Sequence, residues 1–141
     1  MAFVKIWIHF VWGTKNRTPI ISKKLKPVLI KHLIENAKTK SIFIDSIDGG
    51  KDHLHLLISL KSNQSVSKVA HLLKGESSYW INNKKLISEE FEWQDEYFAI
   101  SVSESVVGKV RKYIKNQEEH HRIKTFQEEY DNFIEKYNFK F

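Results

Sequence analysis

A chain of 141 residues with 41% hydrophobic, 13% aromatic and 28% charged side chains can bury one core and is too short for two ordinary domains. Five Gly and two Pro exclude a low-complexity linker, and the absence of Cys excludes disulfides, zinc ribbons, iron–sulfur clusters and thiol nucleophiles. The net charge of +6 divides unevenly: residues 1–117 hold 19 bases and 11 acids, whereas residues 118–141 hold six acids against four bases, so a basic body with a polyanionic partner is expected.

In chain order, residues 2–14 alternate as a strand does, with Val4, Ile6, Ile8, Phe10 and Trp12 on one face and Phe3, Lys5, Trp7, His9 and Val11 on the other. A charge inside this segment and no small-residue cleavage site argue against a secretory signal, and no run approaches the roughly 18 apolar residues of a membrane span. A cytoplasmic location without membrane attachment is therefore expected. Thr14 to Pro19 reads as a basic loop, and Leu25, Val28, Leu29, Leu33 and Ala37 give a helix from about Ser22 to Thr39, with Pro27 tolerated only in its first turn. Strands over 41–47 and 52–60 flank the turn Asp48-Gly49-Gly50-Lys51 as an antiparallel hairpin.

A second helix begins at Ser65 and carries Val69, Leu72, Leu73, Trp80 and Ile81 on one stripe; Gly75 inside it suggests a close approach. A strand over 93–102 follows, then a helix capped by Ser103 and reaching about His121, and a short amphipathic helix over 125–137. The order βαββαβα predicts an α+β, ferredoxin-like (RRM-like) antiparallel sheet, with two helices on one face and the other face open for use. Residues 1–121 form the expected body of the domain, and 122–141 a helical tail of the same domain.

The segment Asp52-His53-Leu54-His55-Leu56-Leu57-Ile58-Ser59-Leu60 carries the first chemical signal. In a strand, Leu54, Leu56, Ile58 and Leu60 turn to one face while both imidazoles turn to the other, close enough to hold one divalent cation or to be two surface histidines. With seven His in the chain, a His-x-His pair alone is weak evidence. In the late helix, Tyr113 and Gln117 lie four residues apart on one face: the amide oxygen can complete a His-His-oxygen site, and the phenol can serve as a nucleophile. On the helix pattern alone Tyr113 reads better as an apolar-face aromatic beside Val106, Val110 and Ile114. Tyr79 with Asn83 repeats the spacing on the second helix, and Tyr113 with Gln117 is preferred because Asn83 is shorter and lies at a helix end.

The combination of His53-Leu54-His55 on a strand with Tyr113-x-x-x-Gln117 on a late helix resembles the HUH single-tyrosine transposases of small insertion sequences, including REP-associated tyrosine transposases. The segments Ile8-His9-Phe10-Val11-Trp12, Thr14-Lys15-Asn16-Arg17, Gly50 to Leu57, Leu73 to Ser78 and Trp93 to Val102 extend the likeness over most of the chain. Many members carry glycine where this chain has Glu96 and Phe98, and some carry DNA-binding extensions not seen here.

The resemblance implies cleavage and rejoining of single-stranded DNA at hairpin or repeat ends through a 5′-phosphotyrosine at Tyr113. His53, His55 and Gln117 would hold a divalent ion, Mn²⁺ or Mg²⁺, and an isologous homodimer is implied. Trp7, His9, Lys15, Arg17 and Lys74 are the candidate DNA contacts, His120 and His121 candidate groups behind the ligands, and His32 and His71 structural. Two competing readings are a non-catalytic RRM-like binder and a domesticated relative that no longer transposes. The binder would want stacking rings where this chain has histidines.

Overall fold

The computed structural model describes residues 2–117 and 125–137. Four strands, β1 (Ile6–Gly13), β2 (Phe43–Gly49), β3 (His53–Leu60) and β4 (Phe98–Val102), form one antiparallel sheet in the order β2-β3-β1-β4. The helices are α1 (Leu25–Thr39), α2 (Val66–Asn83), α3 (Val107–Lys115) and α4 (Phe126–Lys136). This is the expected ferredoxin-like arrangement, with β1 and β3 in the centre.

The leucine face of β3 behaves as its alternation predicts. Leu54, Leu56 and Ile58 are fully buried with Phe10 and Trp12 of β1 against Leu29 and Leu33 of α1 and Val69, Leu73 and Ile81 of α2. Apolar area removed from water on this face, at roughly 25 cal/mol per Å², is the main term holding the two layers together. Helix α2 starts where expected, with Ser65 Oγ accepting from Lys68 N–H at 3.2 Å. In α1 Pro27 occupies the third position, inside the first turn, where its missing N–H has no helical partner to lose.

Four expectations need correction. The second face of the sheet is not open: α3 covers it through Trp7, Leu57, Val107 and Ile114, and α4 through Val11, Phe98 and Phe126. The last strand is only Phe98–Val102, because the chain pairs near Trp93, with Gln94 N–H on the Gly13 carbonyl at 2.9 Å, then leaves the sheet before returning. Ser103 makes no side-chain cap; a 3-10 turn at Glu104–Val106 leads into α3, which ends at Lys115 with Asn116 as its C-cap rather than running unbroken toward His121, a residue outside the described range. A Cβ on Gly75 would meet no atom within 4 Å, so no close approach explains that glycine.

Candidate active site

Strand pairing places the candidate groups together. Val11 pairs with His55 and Gly13 with His53 across the two central strands, so His9, Val11 and Gly13 share a face with both imidazoles. His53 and His55 are buried, and their rings meet edge to face with centroids 5.2 Å apart. A Cβ on Gly50 would sit 2.8 Å from the His53 ring, so only glycine lets the hairpin turn pass this close to the imidazole.

Each imidazole has its Nδ1 engaged. His53 Nδ1–H donates to Asp52 Oδ1 at 2.9 Å, and His55 Nδ1 shares a 2.9 Å hydrogen bond with His9 Nε2. Both Nε2 atoms then face oxygens brought by the covering helices. His53 Nε2 lies 3.2 Å from Gln117 Oε1, and His55 Nε2 lies 3.0 Å from Glu129 Oε1. Gln117 Nε2 donates to the Tyr113 carbonyl at 3.0 Å, which fixes the amide with its oxygen toward His53. Asp52 accepts from His53 Nδ1–H, which leaves His53 Nε2 directed at the Gln117 amide oxygen, an arrangement that suits a hydrogen bond from the ring or two ligand atoms of one cation.

The donor atoms of His53, His55 and Glu129 all lie within 4.8 Å of one another, which makes these three buried residues a possible metal-binding triad. Two imidazoles with carboxylate and amide oxygens fit a divalent transition ion, and the Asp52 contact to His53 is the outer support such ligands usually have. Tyr113 comes from the last turn of α3 and Gln117 from two residues past its end, beyond the turn at Asn116, and α4 adds Glu129.

Tyr113 is half-buried, with its ring centroid 5.4 Å from that of His55 and its hydroxyl donating to Glu129. Burial first, and then the Glu129 carboxylate, push its pKa well above the ordinary phenol value. Burial first and then the neighbouring His55 hold His9 down at about 3 against the opposing pull of Glu129, so His9 is neutral at physiological pH.

Tyr79, the other tyrosine with the right spacing, is 68% exposed on α2, which packs on the leucine face. It therefore lies across the sheet from the histidines.

The candidate DNA contacts disperse. Trp7 is buried under α3, and its indole N–H donates to Glu104, so it offers no free ring face. His9 is buried against His55. Lys15 is exposed at the mouth of the basic loop and pairs with Glu92 at 2.9 Å. Arg17, held with Asn16 in left-handed backbone, lays its guanidinium over Tyr130 at 4.6 Å. Lys74 donates to the Asp95 carbonyl at 2.9 Å, and burial lowers its pKa, partly offset by Asp95 and Glu96.

Away from the site, His32 stacks on Trp80 at 3.7 Å and pairs with Glu76 at 2.6 Å, a clasp between α1 and α2 that fits a structural role, while His71 is exposed. His120 and His121 lie outside the described residues. Sequence reasoning counted Glu129 only as one acid of the tail. Its sole signal was the amphipathic pattern of that helix, which says nothing of which face would meet the histidines.

Known proteins resemble this one in sequence and in fold. The family model described as "Transposase IS200 like" matches residues 2–117. The ISDra2 transposase TnpA of Deinococcus radiodurans is 26% identical over 115 residues, covering 77% of this chain and 81% of the relative. A crystal structure described as a transposase of Deinococcus radiodurans R1 aligns with a TM-score of 0.67 at 21% identity, over 82% of this chain and 93% of its own. The structure of a REP-associated tyrosine transposase bound to a REP hairpin aligns with a TM-score of 0.56 at 13% identity, over 81% of this chain and 66% of its own. The two structures share the fold, the family model spans both central strands and the tyrosine helix, and the chain belongs to the IS200-like transposase family.

Proposed function

We propose that this transposase cleaves and rejoins single-stranded DNA with Tyr113 as nucleophile and a divalent ion at His53, His55, Gln117 and Glu129. The observation that carries the reading is the convergence of two Nε2 atoms and two side-chain oxygens beside one phenolic hydroxyl. When bound, the ion supplies Lewis-acid polarisation of the scissile phosphate.

Tyr113 Oη attacks phosphorus, forming the Tyr–O–P bond as the P–O3′ bond breaks. The 5′ end stays on the protein, and the 3′ oxygen leaves and takes a proton from water. Glu129, already accepting the Tyr113 O–H, receives the phenolic proton, so the high pKa of the buried phenol protects it from ionising before substrate arrives. Attack by a 3′-hydroxyl on the phosphotyrosine reverses these steps and joins a new strand without ATP.

Lys15 and Arg17 on the loop after β1, with the +8 body of residues 1–117, supply phosphate contacts for a hairpin-ended strand. Tyr113 over the histidines of its own sheet supports a reading in which the tyrosine acts within one chain, with the homodimer implied by the resemblance formed around it. No helix among the described residues is long and apolar enough to cross a membrane.

Incubating the protein with labelled hairpin-bearing single-stranded DNA and Mn²⁺ tests the proposal. A covalent adduct is expected that EDTA and Tyr113→Phe each abolish and Tyr79→Phe leaves intact. An adduct surviving in Tyr113→Phe overturns the nucleophile assignment.

A further inference from the structure

His9 has no part in the chemistry above, yet it is buried on β1 next to a metal-site histidine. Its Nε2 stands 2.9 Å from His55 Nδ1, with ring centroids 5.2 Å apart and planes tilted by 34°. A neutral imidazole carries a single proton. With that proton on Nδ1, His55 turns a lone pair at Nε2 toward Glu129; with it on Nε2, the same nitrogen presents an N–H and cannot ligate.

For His53 the choice is made by Asp52, whose carboxylate can only accept. At His55 the Nδ1 partner is another imidazole, while Nε2 faces the Glu129 carboxylate at 3.0 Å, which draws a proton to Nε2 without an ion; once an ion occupies Nε2, the remaining proton sits on Nδ1 and needs an acceptor in His9. The register fixes the encounter: His9 pairs with Leu57 and Val11 with His55, which makes His9 the diagonal neighbour of His55 on one sheet face.

Resting on the metal-site reading, we infer that His9 is a positioning residue that accepts from His55 Nδ1–H and so fixes the Nε2 lone pair of His55 toward the ion. The first-strand histidine thus belongs to the support of the metal centre rather than to DNA contact.

The test uses the full ¹⁵N-labelled chain loaded with diamagnetic Zn²⁺, and a separate Mn²⁺ titration read by electron paramagnetic resonance. With the ion bound, long-range ¹H–¹⁵N correlations should show His55 carrying its proton at Nδ1 and His9 bare at Nε2. Mn²⁺ affinity should fall about 10- to 100-fold in His9→Phe, the usual effect of removing an outer partner, and return to within about threefold in His9→Gln, whose amide oxygen can accept the same hydrogen bond. A proton found on His9 Nε2 in the loaded chain, or wild-type affinity in His9→Phe where His53→Ala has lost binding, overturns the role of His9 and leaves the metal site standing. Absence of saturable Mn²⁺ binding in the wild type, with His53→Ala indistinguishable from it, overturns the metal-site reading and this role together. The tautomer measurement on wild type stands whether or not His9→Phe folds.

Discussion

Phe126 lies flat on His53, ring centroids 4.2 Å apart and planes within 5° of parallel. A Cβ on Gly13 would sit 2.8 Å from the same Phe126 ring, so β1 is smooth at the one point where the tail helix presses against it. Phe126 is therefore the pin that docks α4, and through α4 Glu129, onto the site. Phe126→Ala is expected to cost about 3 kcal/mol of stability, as large aromatic truncations in packed clusters do. Denaturant melts check the magnitude. Amide exchange should rise first in α4 and leave β1 and β3 protected.

Glu129 and Tyr113 form the second prediction. The carboxylate disfavours the phenolate, so replacing it by an amide of the same shape should lower the Tyr113 pKa. Ultraviolet titration of Glu129→Gln against wild type should show one tyrosine ionising at lower pH. Strand cleavage should nevertheless fall by about 10²-fold or more, because the proton acceptor is gone. Equal cleavage rates would remove Glu129 from the reaction.

Helix α3 is tied to the sheet by Arg111, whose Nε and Nη2 each donate at 2.8 Å to the two oxygens of Asp45. The hydrogen bond from Arg111 is the largest cause holding the Asp45 carboxyl below its ordinary value. With a depressed folded pKa, the contribution of this pair is complete above the ordinary 3.8 and is lost as pH falls through the lower folded value. Asp45→Asn should therefore melt below wild type at neutral pH, and the gap should close in acid. A gap that widens in acid would reverse the sign of this argument.

Salt dependence reports on the basic loop. If Arg17 contacts phosphate, Arg17→Ala should weaken binding to single-stranded hairpin DNA about equally across sequences and reduce the slope of log affinity against log salt by about 1. Filter binding across salt concentrations measures this. An unchanged slope would leave Arg17 as a packing residue over Tyr130 alone.

Much of this was readable from residue order. Alternation in 53–60 placed two imidazoles opposite a leucine face, and the four-residue step from Tyr113 to Gln117 kept both on the histidine side although α3 ends at Lys115 between them. Those are local geometric facts, fixed by helix and strand periods. What periodicity could not supply was the docking of whole elements. Trp7 alternates with polar neighbours as a surface aromatic would, yet α3 buries it and Glu104 takes its indole N–H. His9 looked outward for the same reason and instead backs His55. Glu129 is one carboxylate in an acid-rich helix. Only the packing of Phe126, Val11 and Phe98 turns that particular turn toward the histidines.

The most direct measurement is tryptic mass spectrometry of the protein after reaction with hairpin-bearing single-stranded DNA and Mn²⁺. The account predicts a nucleotide mass on the Tyr113 side chain, absent in His53→Ala, with the free cleavage end carrying a 3′-hydroxyl. DNA attached at any other residue, or cleavage that leaves a 3′-phosphate and no protein-bound strand, would contradict it.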